Sequence, residues 1–211
     1  FMRRFDPAYH EAWKRIRNGD IGKPIYFKGI TRDGNVPHAS FIATSGGIYL
    51  DVSIHDYDIA RYLMGEDIVS LQASGNVLVH EFLKDYGDVD QAMTTLRFAS
   101  GASGDVETMR IGPYGYDIRG EVIGMEGIIK IGSIRKHNID IMTPKGSTYE
   151  LIPDFPSKFR DAYHLEMVHF IESVSENRRP SCTEEDGRMG LQIAIAATES
   201  FRTGKEVKVI E

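Results

Sequence analysis

Apolar residues recur along this chain with two different periods, and the change of period divides it into helices and strands. Ala8, Ala12, Trp13 and Ile16 fall on one helical stripe. Asp6 suits the N-cap of that helix, Pro7 its first position, and Gly19 and Gly22 its end. Pro24 leads into Ile25-Tyr26-Phe27-Lys28-Gly29-Ile30-Thr31-Arg32, which reads as a strand. Asp33 to Ser40 holds Gly34 and Pro37 and reads as a loop. A second helix is expected from Leu50 to Met64, between Gly46-Gly47 and Gly65.

The middle of the chain takes the period of strands. Val69 to Val79 is one candidate. Ala92 to Phe98 and Ala102 to Ile111 alternate about Ser100-Gly101 as a hairpin. Arg119 to Ile123 and Ile128 to Ile131 flank Met125-Glu126-Gly127 as a second. Ile139 to Met142 and Thr148 to Ile152 flank Pro144-Lys145-Gly146 as a third. The helical period returns at Phe159 to Glu176 and at Glu184 to Phe201, the latter capped by Thr183 and followed by Gly204. Hairpins clustered between helices predict an α+β fold, with an open, predominantly antiparallel sheet and helices on one face. The other face, if apolar, needs a partner domain or subunit.

Composition narrows the class. The 211 residues carry 25 Lys and Arg against 31 Asp and Glu, a net charge of -6, and 41% are hydrophobic. That is enough apolar content for a buried core. The acidic balance argues against a partner gripped through its phosphates, so no nucleic acid is expected. No apolar run approaches the roughly 18 residues of a membrane span, and no signal peptide opens the chain. Cys182 is the single cysteine, which fits a reducing cytoplasm.

Chemistry concentrates between Ser45 and Asp58. On a helix, Asp51, His55, Asp58 and Tyr62 share one face at i, i+4, i+7 and i+11. A carboxylate one turn before a histidine orients its ring and raises its basicity, making His55 a candidate acid/base. Spacing alone favours the plainer reading of a capping Asp51 and a satisfied polar His55 at the core edge. A metal held by His55 and Asp58 is a third reading, but His137, His164 and His169 are too scattered to complete it, and no metal is expected. Arg3-Arg4 suits an anion, a polyol or plain surface charge. Tyr114-Gly115-Tyr116-Asp117 places a hydroxyl at a sheet mouth or packs tyrosines on a strand edge. Glu184-Glu185-Asp186 complements a helix dipole. No Gly-x-Gly-x-x-Gly joins a strand to a helix, so the chain shows no dinucleotide site of its own.

The run Ser45-Gly46-Gly47, Asp51, His55-Asp56-Tyr57-Asp58 and Arg61-Tyr62-Leu63 resembles the signature of the Gfo/Idh/MocA-type oxidoreductases. Phe1-Met2-Arg3-Arg4-Phe5-Asp6-Pro7, Tyr114-Gly115-Tyr116-Asp117, Asp161-Ala162-Tyr163 and Glu166 resemble its inositol 2-dehydrogenase branch. The resemblance implies that residues 1–211 form the substrate-binding and oligomerisation domain of a dehydrogenase of polyols or sugars. It implies NAD or NADP held mainly by a preceding Rossmann domain, which would also supply a lysine that Lys23 does not replace. It implies a homodimer or homotetramer formed through the sheet. In that frame His55 is the acid/base and Asp51 orients it and touches substrate. Arg3, beside Met2, lies at the junction of cofactor and substrate. Tyr116 contacts the polyol, with Tyr114 a second choice, and Asp33 lines the pocket. Many inositol dehydrogenases have His-Arg-Asn where this chain has Thr31-Arg32-Asp33. The alternative is a non-catalytic assembly or ligand-binding module.

Overall fold

Alternation in the central strands gives the sheet one apolar face, and helices cover it. A computed structural model describes residues 1–209 of the chain. Strands β1 (Pro24–Arg32), β2 (Ile68–Asn76), β3 (Gln91–Phe98), β4 (Ser103–Met109), β5 (Asp117–Gly124), β6 (Ile128–Ile131) and a short β9 (Val207–Lys208) form a seven-stranded sheet. Their order is β6-β5-β1-β4-β3-β2-β9. Every pairing is antiparallel except β1 with β4. Strands β7 (Ile141–Thr143) and β8 (Gly146–Thr148) make a separate exposed ribbon. The predicted α+β class with an open, mostly antiparallel sheet therefore holds.

Phe27, Leu96, Val106 and Val122 point from the sheet into the core. They meet Ile59, Ala60 and Leu63 of α3 (Ile54–Met64) and Ile193, Ala194 and Ala197 of α5 (Glu184–Thr203). Each such large aliphatic or aromatic side chain contributes roughly 1.5–3 kcal/mol by leaving water. α5 is also pinned by polar contact, since the Ala73 amide donates to Ser200 Oγ at 2.9 Å. The opposite face is not apolar. Lys28 pairs with Asp105 at 3.0 Å and Arg32 with Glu107 at 2.6 Å across β1 and β4.

The first helix, α1 (Pro7–Arg17), follows its sequence signals: Asp6 Oδ1 accepts from the amides of Ala8 and Tyr9. Four expectations need correction. The loop predicted over Asp33 to Ser40 runs at its end into an unpredicted short helix, α2 (Ala39–Ser45), which buries only Ile42 and so leaves almost no periodic signal. The helix predicted from Leu50 opens as a π turn, Tyr49–Ser53, before α3 begins. β2 stops at Asn76 because the amides of Leu78, Val79 and His80 all donate to Asp90 at 2.8 Å. α4 (Phe155–Ser175) starts before Phe159 because Asp154 caps it, and Phe159 itself marks a kink.

Candidate functional site

Consecutive residues of one short turn set the site. Met2–Phe5 form a 3-10 turn that buries Met2, Arg3 and Arg4 against α3. Arg3 Nη1 donates to Asp56 Oδ1 at 2.9 Å, and Thr31 Oγ1 donates to Asp56 Oδ2 at 2.6 Å. Gly29 makes room for this contact, since a Cβ there would stand 3.0 Å from Asp56 Oδ1. Burial opposes the charge on Arg3, but the Asp56 carboxylate together with Tyr116 and Tyr9 outweighs it, so the guanidinium pKa rises. Arg4 turns the other way and grips Asp58 with two bonds, at 2.9 and 2.6 Å.

Gly46 and Gly47, with φ of 82° and 88°, turn the chain into the π turn that carries Asp51. His55 follows in the first turn of α3. Together with Met2, Arg3, Asp33 and Tyr116, these two residues line a cavity of about 490 Å³. Pro153 and Asp154, with Phe155 and Tyr163 of α4, also line it. Of the predicted site residues, only Tyr114 lies outside that lining. Its hydroxyl donates to Asp117 Oδ2 and accepts from Arg32 Nη1, both at 2.7 Å, at the sheet edge.

Electrostatics inside the cavity depart from expectation in one respect. Asp51 does not bond His55. It turns to Arg110, whose Nη1 donates to Asp51 Oδ2 at 2.8 Å. The π turn displaces Asp51 from the helical register that i, i+4 spacing assumed. With no carboxylate on its ring, His55 is not made more basic. Burial first, then the Arg3 charge, push its pKa down to about 3. His55 Nδ1 is sealed from solvent and has no partner among the described residues. Asp33 goes the other way: burial lifts its carboxyl to about 6 against the pull of Arg110 and Arg3. Burial likewise raises the Tyr116 hydroxyl.

The shared face expected for Asp51, His55, Asp58 and Tyr62 is divided by Arg3 and Arg4. Asp58 is tied to Arg4 and does not join His55. Tyr62 stacks on Trp13 with 5.5 Å between centroids and 7° between planes. Trp13 and Tyr62 belong to a second, larger cavity of about 950 Å³ between α1 and α4. Sequence reasoning missed Arg110. It follows the inward positions Gly104, Val106 and Thr108 of β4, and an arginine in the inward register of a half-buried strand is the signal that would have found it.

The arrangement offers a neutral imidazole, the carboxyl groups of Asp33, Asp51 and Asp154, a guanidinium and the phenols of Tyr116 and Tyr163 around one space. That set suits a neutral, many-hydroxylated ligand that needs both donors and acceptors. A sequence model of an oxidoreductase family, described as its C-terminal alpha/beta domain and of Gfo/Idh/MocA type, matches residues 14–209. The chain belongs to the Gfo/Idh/MocA oxidoreductases. It is 54% identical to a scyllo-inositol 2-dehydrogenase (NAD(+)) of Bacillus subtilis strain 168, over 99% of this chain and 61% of that protein. It is 40% identical to a myo-inositol 2-dehydrogenase of Thermotoga maritima, over 100% of this chain and 64% of the relative. The crystal structure of a Lactobacillus casei scyllo-inositol dehydrogenase with NAD(H) and scyllo-inositol superposes with a TM-score of 0.92. Its sequence is 30% identical, with 99% of this chain and 63% of that chain covered. The chain thus spans a little over three-fifths of the length of these family members.

Proposed function

We propose that residues 1–211 are the substrate-binding and oligomerisation domain of an NAD(P)-dependent dehydrogenase that oxidises a secondary alcohol of inositol or a related polyol. The observation that carries this reading is His55, neutral and facing a cavity rich in hydroxyl-binding groups, in a chain so similar to inositol dehydrogenases. Asp51 and Asp33 accept hydrogen bonds from the polyol, while Arg3 and Tyr116 donate. His55 takes the proton of the reacting hydroxyl at Nε2, the ring nitrogen that is not sealed in, so Nδ1 carries the ring hydrogen. Its depressed proton affinity requires nearby negative charge to stabilise the imidazolium. Asp51 and Asp33 are carboxyl groups lining the same space, and Asp154, the cap of α4, is a third.

The residues present fit one end of a nicotinamide dinucleotide. Buried Met2 gives the cavity an apolar wall beside Arg3, against which a planar ring can lie. The sequence has no glycine-rich turn to hold the pyrophosphate, so most of the cofactor is held by a preceding domain. When bound, the cofactor supplies the hydride acceptor. The open face of the sheet, with its cross-strand ion pairs, is where copies associate as a dimer or tetramer. The enzyme works in the cytoplasm, consistent with one unpaired cysteine.

The test is steady-state oxidation of scyllo- and myo-inositol by the intact protein, with NAD and with NADP. NAD(P)-dependent turnover is expected, and His55→Ala should lower it by about 10²–10⁴-fold with the fold retained. Inositol binding without turnover would instead make the protein a ligand-binding module.

A further inference from the structure

We propose that Arg110 is a positioning residue that acts through Asp51, fixing the carboxylate that holds the polyol. This rests on the inositol-dehydrogenase reading above. Arg110 is fully buried at the end of β4. Its backbone amide is anchored to the Asp90 carbonyl at 2.8 Å, so the side chain starts from a rigid point. One arm of the fork donates to Asp51 Oδ2 at 2.8 Å and the other reaches Asp88 Oδ2 at 3.4 Å. Asp88 in turn accepts from the amides of Ile48 and Val89, both at 2.8 Å. The network therefore holds the π turn at two points, at Ile48 just before it and at Asp51 in its middle.

A π turn that bears a substrate carboxylate needs an external support, because no side chain caps it. Arg110 supplies that support and occupies Asp51 Oδ2, which leaves Oδ1 for a hydroxyl. The same strand end also places Asp33, whose amide donates to the Met109 carbonyl at 2.8 Å. Two carboxyl groups of the cavity thus hang from residues 109 and 110. A guanidinium is required because two carboxylates must be bridged at once, and a lysine reaches only one point.

The test uses the intact protein with NAD and inositol, comparing wild type, Asp51→Ala, Arg110→Met, their double variant and Arg110→Lys. Arg110→Met is expected to lower kcat/KM on the order of 10–100-fold, the size of a lost hydrogen bond to a charged group, mainly by raising KM. In the Asp51→Ala background the same change should add less than about 2-fold, because coupled residues are not additive. Arg110→Lys should fall between wild type and Arg110→Met. A merely structural arginine would lower the melting temperature and kcat, leave KM unchanged, and combine multiplicatively with Asp51→Ala; that result overturns the proposal. If Arg110→Met does not fold, an unchanged KM in Arg110→Lys overturns it equally. A wild type that oxidises no inositol sinks the functional reading first, and this proposal with it.

Discussion

The two larger cavities among the described residues differ in a way that size does not reveal. The larger, between α1 and α4, has its charges paired. Arg4 is bound to Asp58 and Asp186, Arg61 to Asp67, and Arg17 to the Tyr62 carbonyl. Its aromatic rings are stacked on one another, His10 on Trp13 and Trp13 on Tyr62. The smaller, around His55, leaves chemistry uncommitted. Its imidazole is neutral with a nitrogen unpaired, its Asp33 carboxyl is pushed up to about 6, and its Asp51 is held by one oxygen. Satisfied polar groups build a surface, whereas unsatisfied ones held in place prepare a site for a ligand.

The sharpest way to break that contrast is to exchange damage between the cavities. His55→Ala is expected to abolish most turnover, whereas Trp13→Ala should leave kcat/KM within a few-fold. Because Trp13 is partly buried, its loss should instead cost about 2 kcal/mol of stability, read by denaturant unfolding. A Trp13→Ala enzyme as impaired as His55→Ala would place the chemistry in the wrong cavity.

Next comes the floor of the smaller cavity. Thr31→Val removes the donor to Asp56 Oδ2 and the acceptor for Arg3, leaving buried groups unpaired. The expected loss is about 1–3 kcal/mol, measured as a lower urea midpoint with an unchanged slope.

Two titrations then sharpen the electrostatic half, with opposite signs. The folded protein holds His55 at about 3, below the usual 6.5. Between those values the unfolded chain binds more protons. The His55 contribution is complete above pH 6.5 and is lost as pH falls toward 3. Asp33 is held at about 6 against 3.8, so the folded protein binds more protons there. Its contribution is complete below pH 3.8 and lost as pH rises through 6. Melting temperatures across pH 3–7 should show a shallower acid decline for His55→Gln than for wild type. The same series with Asp33→Asn should show a steeper one. The smallest effect belongs to the larger cavity's rim. Asp6→Ala removes the α1 cap at a cost of about 1 kcal/mol and should leave KM unchanged.

Much of this was legible in the chain, and the gaps have physical causes. The helix after Asp6-Pro7, the β3–β4 and β5–β6 hairpins and α5 follow periodicity and capping, which are local. α2 escaped because a seven-residue helix burying one side chain has no period to show. The Asp51–His55 pairing was misjudged because spacing arguments assume an α-helix, and one extra residue in a π turn redirects the carboxylate to Arg110. Tyr114 and Tyr116 sit two apart in a loop, and only tertiary structure separates the one tied to Asp117 from the one facing the cavity.

The measurement that tests the central claim most directly is a structure of the intact protein with NAD and scyllo-inositol. The inositol ring should lie between Asp51, Asp33 and Tyr116, with one hydroxyl about 2.6–3.2 Å from His55 Nε2. A ring seated beside Trp13 and Tyr62, or one that leaves His55 without a hydroxyl, would contradict it.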